Sequence, residues 1–219
     1  MMKKFIFDLD GLLVNTERMA FGLWQETAEK FCIDFDMDWA ISLMGRNSTD
    51  AKKEYIRVFG EENRAMEIRN YRRALLIDKL KKEGTQPMPG AVELLKHLKA
   101  NGYEIAMATG SNKDKVKIIF ESVDIKDYFD VIITGDMVLH GKPDPEEFLL
   151  AIEKLNTKPN NTIIIEDSPL GVEAAHRIGA TVIWIPDLYP RLGEVSEKCN
   201  YVFNSLFEVL DNLEVITAE

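Results

Sequence analysis

Cysteine is scarce in this chain of 219 residues: Cys32 and Cys199 are the only two, far apart and in no CxxC pair. No disulfide framework can be built from them, and the expectation is a reducing, cytoplasmic setting. Apolar runs are short. Stretches such as Ile163-Ile164-Ile165 are strand-sized, far below the roughly 20 residues a spanning helix needs, so no membrane partner is expected. The basic and apolar start, Met1 to Phe7, begins like an export signal, but Asp8 and Asp10 cut the apolar stretch off and no export is expected. Positive charge is also in deficit, with 27 Lys and Arg against 37 Asp and Glu for a net charge of −10. A broad basic surface for nucleic acid is thereby excluded, and no nucleic-acid partner is expected.

What is present is the material of a folded core, with 46% hydrophobic and 29% charged residues. The length suits one domain carrying an insertion, or two small domains. Residues 3–7, 104–108, 131–133, 162–165 and 181–185 are continuous β-rich runs, each followed by small or polar residues and then by helical periodicity. Continuous rather than alternating strands indicate a sheet covered on both faces, and alternation with helices indicates parallel βαβ units. The predicted fold class is therefore α/β, a doubly wound parallel sheet of Rossmann-like type. Helices are predicted over 91–100, ending at Asn101-Gly102; over 144–155, with Asp144-Pro145 at the start; and over 168–178, opening at Ser168-Pro169.

Spacing marks an insertion. Thr109, Lys142 and Glu166 follow one another at distances of about one crossover unit, but nearly a hundred residues separate Asp10 from Thr109. The intervening periods predict helices over 17–31, 37–44, 48–59 and 61–83. The expected organisation is an α/β core of residues 1–15 and 86–219 with a helical cap of residues 16–85. The cap leaves through Leu13 to Thr16 and returns through the Pro- and Gly-rich segment Gly84 to Gly90, two adjacent connections on which a lid could rock. Lys and Arg balance Asp and Glu at 13 each within 16–85, so the whole net charge of −10 belongs to the core.

Ligands of a parallel α/β sheet gather at the carboxyl ends of its strands. Here those ends carry Asp8-Leu9-Asp10-Gly11, Thr109-Gly110-Ser111, Lys142 and Glu166-Asp167. Acids two apart at a strand end point the same way, repel, and call for a cation between them. If the strands before Asp8 and Glu166 are neighbours, four acids converge, and hard oxygen ligands with water positions left over suit Mg²⁺. Beside them, Lys142 becomes a clamp for a phosphoryl group, with Thr109 and the amides around Gly110 supplying further donors. Acid, metal, hydroxyl and lysine together describe phosphoryl transfer through an aspartyl phosphate.

Four segments, Phe5 to Leu13, Ala108 to Ser111, Gly141 to Pro145 and Ile165 to Ala175, resemble in order the four motifs of the haloacid dehalogenase superfamily. The insertion after the first motif is similar to the helical cap of its β-phosphoglucomutase-like branch. The resemblance implies that Asp8 is the nucleophile and Asp10 the acid and base; that Asp8, Asp10, Glu166 and Asp167 serve the metal; and that Thr109 and Lys142 hold the phosphoryl group. An acid at position 10 is absent from the true dehalogenases of the superfamily, so phosphate chemistry is expected. The cap histidine of the mutases has no counterpart in the helix beginning at Glu17, and His97, His140 and His176 all lie in the core. A simple phosphatase of a small phosphorylated metabolite is therefore the first expectation and a β-phosphoglucomutase-type mutase the second. A phosphate-accepting signalling module comes third, since the lone Asp136 lacks the surroundings of an acceptor. Leu9, Gly110, Ser111, Asn112 and Arg46 are the expected substrate-binding positions, Arg46 reaching from the cap toward a second anionic group. The expected state is a monomer, with a dimer as the alternative.

Overall fold

In the computed structural model, which describes residues 2–43, 46, 48–189 and 193–218, the predicted apolar runs form five strands. They are β1 (Lys4–Phe7), β2 (Ile105–Thr109), β3 (Val131–Thr134), β4 (Thr162–Glu166) and β5 (Thr181–Trp184); a sixth, β6 (Tyr201–Val202), is two residues long. All pair in parallel in the order β3-β2-β1-β4-β5-β6. The chain reverses its direction of winding at β1, which lies between β2 and β4, and that switch point is where a doubly wound sheet opens a crevice.

The two-residue period of a strand sorts the core into two layers. Phe5, Phe7, Ile105, Met107, Ile163 and Ile165 pack on one face against α6 (Ala91–Ala100), α7 (Lys113–Phe120), α11 (Leu206–Asp211) and α12 (Leu213–Ala218). Ile6, Ala106, Ala108, Ile164 and Trp184 pack on the other against α8 (Glu146–Lys154) and α9 (Pro169–Arg177), with α10 (Gly193–Ser196) beside α9. Each fully buried Ile or Phe contributes about 1.5–3 kcal/mol. Ser168 caps α9 as expected, its hydroxyl accepting from the Gly171 amide at 3.1 Å. Helix α8 begins two residues later than expected: Asp144 accepts from the Glu146 amide, and Pro145 is the cap residue.

Between β1 and α6 lie α1 (Thr16–Gly22), α2 (Trp24–Phe31), α3 (Met37–Ser42), α4 (Ser48–Phe59) and α5 (Glu62–Glu83). They share their own apolar cluster around Trp24, Trp39, Tyr55 and Ile68. The single helix predicted over 17–31 is broken at Leu23, which caps both α1 and α2. The end predicted at Met44 for the helix over 37–44, with Gly45 and Asn47 beside Arg46, lies outside the described residues. Leu80, near the end of α5, joins the sheet cluster instead of the helical one. The two connections pair with each other: Val14 bridges Pro87, and the Met88 amide donates to the Leu13 carbonyl at 2.9 Å. Farther out, Arg18 pairs with Asp187 at 2.7 Å, and the Tyr189 hydroxyl donates to the Ile41 carbonyl at 3.0 Å, so the loop after β5 clasps the helical segment. Among the described residues no helix is long and apolar enough to cross a membrane.

Candidate active site

Asp8 follows β1 and stays tied to β4 through its amide, which donates to the Ile165 carbonyl at 3.1 Å. Because β1 and β4 are neighbours, Asp8 and the pair Glu166-Asp167 come together, and all three are buried. Burial, reinforced for Asp8 by Glu166 and Asp10 and for Asp167 by Glu166, Asp8 and Glu17, holds both aspartates well above the usual carboxylate range. Gly11 turns the chain away from the site at φ +88°, and a Cβ there would strike the Asp167 carboxylate. Glycine is thus required twice over, for the left-handed backbone and for the close approach.

Lys142 is almost fully buried, its ammonium surrounded by carboxylates. It donates to Asp8 Oδ1 and to Glu166 Oε1 at 2.5 Å each, lies 3.3 Å from Glu147 Oε1, and sits 4.9 Å from the Phe148 ring centre. Burial opposes the lysine's charge, but Asp8, Glu147 and Glu166 outweigh it and raise its pKa well above the ordinary value. Glu166, expected among the metal ligands, engages both of its oxygens in hydrogen bonds. Its second oxygen accepts from the Asp167 and Ser168 amides at 2.9 Å and from the Ser168 hydroxyl at 3.0 Å, so both oxygens are taken. The cause is local: a strand-end glutamate folds back onto the N–H groups that open α9.

Asp10 has a separate set of partners. Thr16 and Ser111 donate their hydroxyls to it, Ser111 at 2.5 Å; Thr109 does so at 3.4 Å, and the Lys115 ammonium lies 2.8 Å away. Burial would raise its pKa, but Lys115, helped by Ser111 and Thr16, carries it below the usual value. Glu17, at the start of α1, is pushed up to about 7 by burial, against the pull of Lys115.

A cavity of about 400 Å³ opens over these groups. Asp8, Asp10, Thr109, Gly110, Ser111 and Asn112 line its floor, while Arg46 and a face of α5 bearing Arg69, Arg72 and Arg73 line the opposite wall. Arg46 also donates to the Ser42 carbonyl at 2.8 Å, and Asn112 caps α7 by accepting from the Lys115 amide. Leu9 is not on the wall. Its side chain is in the apolar core and its carbonyl accepts from Leu13 and Val14, as the tight turn after β1 demands. Asp136 lies on the rim, accepting from the Lys113 amide. Sequence reasoning passed over Glu17, Lys115 and Glu147. The signal for Glu147 was its register with Ala151 and Leu155 at helical spacing on a buried stripe; Lys115 and Glu17 carried none.

Among the described residues no three His, Cys, Asp or Glu side chains form a metal cage. The donor set fits Mg²⁺ all the same. That ion is usually held by one or two carboxylates with water and substrate phosphate, and Asp8 and Asp167 are two buried, mutually repelling carboxylates of the required hard-oxygen kind.

The profile of the haloacid dehalogenase-like hydrolases matches residues 5–185. A phosphorylated carbohydrates phosphatase of Thermotoga maritima is 32% identical over 84% of this chain and 84% of its own. The β-phosphoglucomutase of Bacillus subtilis is 33% identical over 88% of this chain and 87% of its own. Among solved structures, a hydrolase from Pseudomonas syringae superimposes with a TM-score of 0.84 at 26% identity, covering 98% of this chain and 99% of that one.

Proposed function

The chain belongs to the haloacid dehalogenase-like hydrolase family and is a phosphomonoester hydrolase, and on that footing we propose that it is a Mg²⁺-dependent phosphatase acting through an aspartyl phosphate on Asp8. The observation that carries this reading is the buried Lys142 ammonium 2.5 Å from Oδ1 of Asp8, which lines a cavity whose other acid, Asp10, has its own cation in Lys115. In this reading one carboxylate attacks and the other moves protons.

In the proposed reaction an Asp8 carboxylate oxygen attacks the substrate phosphorus and the ester P–O bond breaks, while Asp10 gives its proton to the leaving oxygen. Asp10 then takes a proton from the water that attacks the aspartyl phosphorus; the bond to Asp8 breaks and inorganic phosphate leaves. Thr109 and Lys142 hold the phosphoryl oxygens, with the amides near Gly110 and Ser111 beside them. The carboxylates of Asp8 and Asp167 and the backbone carbonyl of Asp10 would hold Mg²⁺. When bound, the ion neutralises the paired carboxylates and the phosphoryl oxygens. Glu166 serves indirectly, by fixing Lys142.

The helical segment, taken as residues 16–85, acts as the cap over a core of 1–15 and 86–219, and presents Arg46 toward the substrate. The relatives' names point to sugar phosphates, with polyol phosphates and nucleotides in the same size range. A mutase reading is the second, supported by the likeness to β-phosphoglucomutase; α1 offers no histidine to the cavity. The protein is read as a cytoplasmic monomer.

The test is phosphate release from p-nitrophenyl phosphate and from a panel of sugar phosphates, with Mg²⁺ and with a chelator. Wild type should turn over only with the metal, and Asp8→Asn should lose at least about a thousandfold. Asp8→Asn turning over like wild type ends the nucleophile assignment, and isomerised sugar phosphate without released phosphate favours the mutase.

A further inference from the structure

Three carboxylates surround the Lys142 ammonium, and the mechanism above gives work to two of them. The third, Glu147, is the second residue of α8 and is fully buried, and among the described residues its carboxylate meets a single donor, the Lys142 ammonium, at ion-pair distance. Its Oε1 lies 3.3 Å from Lys142 Nζ, against 2.5 Å for Asp8 and for Glu166. A carboxylate in that condition costs stability, since its hydration is lost and one long contact replaces it. Holding Lys142 in place does not require it, because two shorter bonds already do so.

The geometry gives the lysine three protons to place. Two go to Asp8 and Glu166, and the third faces Glu147, with the Ala108 carbonyl at 3.5 Å as the other acceptor. The ammonium is almost wholly enclosed, so a phosphoryl oxygen arriving at Asp8 obtains a donor only by displacing one of these contacts. Asp8 must stay beside the phosphoryl group it attacks. Glu166 is fixed by the three donors on its other oxygen. Glu147 has the longest contact and no other anchor for its carboxylate, and is the partner that can be given up.

We propose that Glu147 is a positioning residue that competes with the phosphoryl group for Lys142, taking the third ammonium proton in the free enzyme and yielding it on phosphate binding, so that the product is held less tightly and leaves faster. This rests on the phosphatase reading of the same site. Its negative charge beside a dianion works in the same direction, and a destabilising buried group kept at a working site is the usual trade of stability for turnover.

The experiment uses the full chain loaded with Mg²⁺ and compares Glu147→Gln and Glu147→Leu with wild type. Inhibition by inorganic phosphate, kcat and KM on p-nitrophenyl phosphate, and Tm are measured together. The expected result is a phosphate inhibition constant about tenfold lower in both variants, with KM and kcat falling together, and a Tm in Glu147→Leu no lower than wild type. Glu147→Asp, which keeps the charge, should lie nearer wild type. If Glu147 merely anchors Lys142, phosphate binds more weakly, KM rises and Tm falls, and the proposal is overturned. An unchanged inhibition constant in both Gln and Leu overturns it equally. A wild type that releases phosphate from no ester defeats the phosphatase reading itself; an active wild type whose variants do not tighten phosphate defeats only the role given to Glu147.

Discussion

Lys115, in the first turn of α7, turns its side chain back to the strand ends and places its ammonium 2.8 Å from Asp10 Oδ1. Asp10 is the acid of the first step and must carry a proton when the ester bond breaks. Burial favours that protonated form, but Lys115 reverses the preference and holds the carboxyl below its usual range. Lys115→Met should therefore raise the Asp10 pKa, so the protonated acid persists to higher pH and the alkaline limb of kcat/KM against pH moves upward. A limb that stays in place, or moves down, removes Lys115 from control of the acid.

Gly171 stands where a side chain cannot. A Cβ there would overlap the Glu166 carboxyl group, which is held by four donors, the Lys142 ammonium, the Asp167 amide and the Ser168 amide and hydroxyl, and has no room to retreat. Helix propensity alone would reward Gly171→Ala by up to about 1 kcal/mol. Overpacking against a buried, hydrogen-bonded acid is larger and of opposite sign, and a net loss of about 2 kcal/mol is expected with a fall in kcat as Lys142 loses its support. Gly22→Ala is the control: nothing lies within 4 Å of its Cβ, and its Tm should equal or exceed wild type. Equal melting of the two variants would mean that Glu166 can be moved without cost.

Strands β1, β2 and β4 were legible because a sheet covered on both faces leaves no polar alternation in its central strands. Strand β6 was not: Tyr201 and Val202 become a strand only by pairing with Ile183 and Trp184. The break at Leu23 was hidden for a similar reason, since no proline interrupts the period between Phe21 and Ala28 and the bend answers to how α1 and α2 pack. At the site, Asp8, Asp10, Thr109, Lys142 and Asp167 follow from short motifs at strand ends, where position along the chain nearly dictates position in space. Glu147 and Lys115 reach the site only because α8 and α7 dock as they do. Leu9 is a motif member whose side chain the alternation turns into the core.

The two thiols should separate by rate. Burial pushes Cys199 up to about 11, and its thiol also donates to the Val195 carbonyl at 3.2 Å, whereas Cys32 is exposed. The thiolate is the reacting form, and about 3 pH units below its pKa only about one Cys199 in a thousand carries it. At mildly alkaline pH a disulfide reagent should find one fast thiol in the folded protein, and Cys32→Ser should abolish that phase. Raising the pH toward 11 should accelerate the slow thiol. A fast phase surviving in Cys32→Ser would show that Cys199 is open to solvent.

Arg72 holds the helical segment by shape as much as by charge. Its guanidinium stacks 4.4 Å from the Trp24 ring centre while Nε donates to the Tyr55 hydroxyl at 3.0 Å and an Nη donates to the Ala20 carbonyl at 2.8 Å. One planar group thus ties α1, α2 and α4 to α5. A lysine keeps the charge but has neither the flat face nor the fixed fork, so Arg72→Lys should lose about 1–2 kcal/mol. The loss should fall on the helical segment, which holds Trp24 and Trp39, before the sheet, which holds Trp184. Tryptophan emission should then shift to the red at a lower temperature than the loss of far-ultraviolet signal from the whole chain, whereas in wild type the two should coincide. If Arg72→Lys melts like wild type by both probes, charge alone suffices and the stacked fork contributes nothing to holding the segment together.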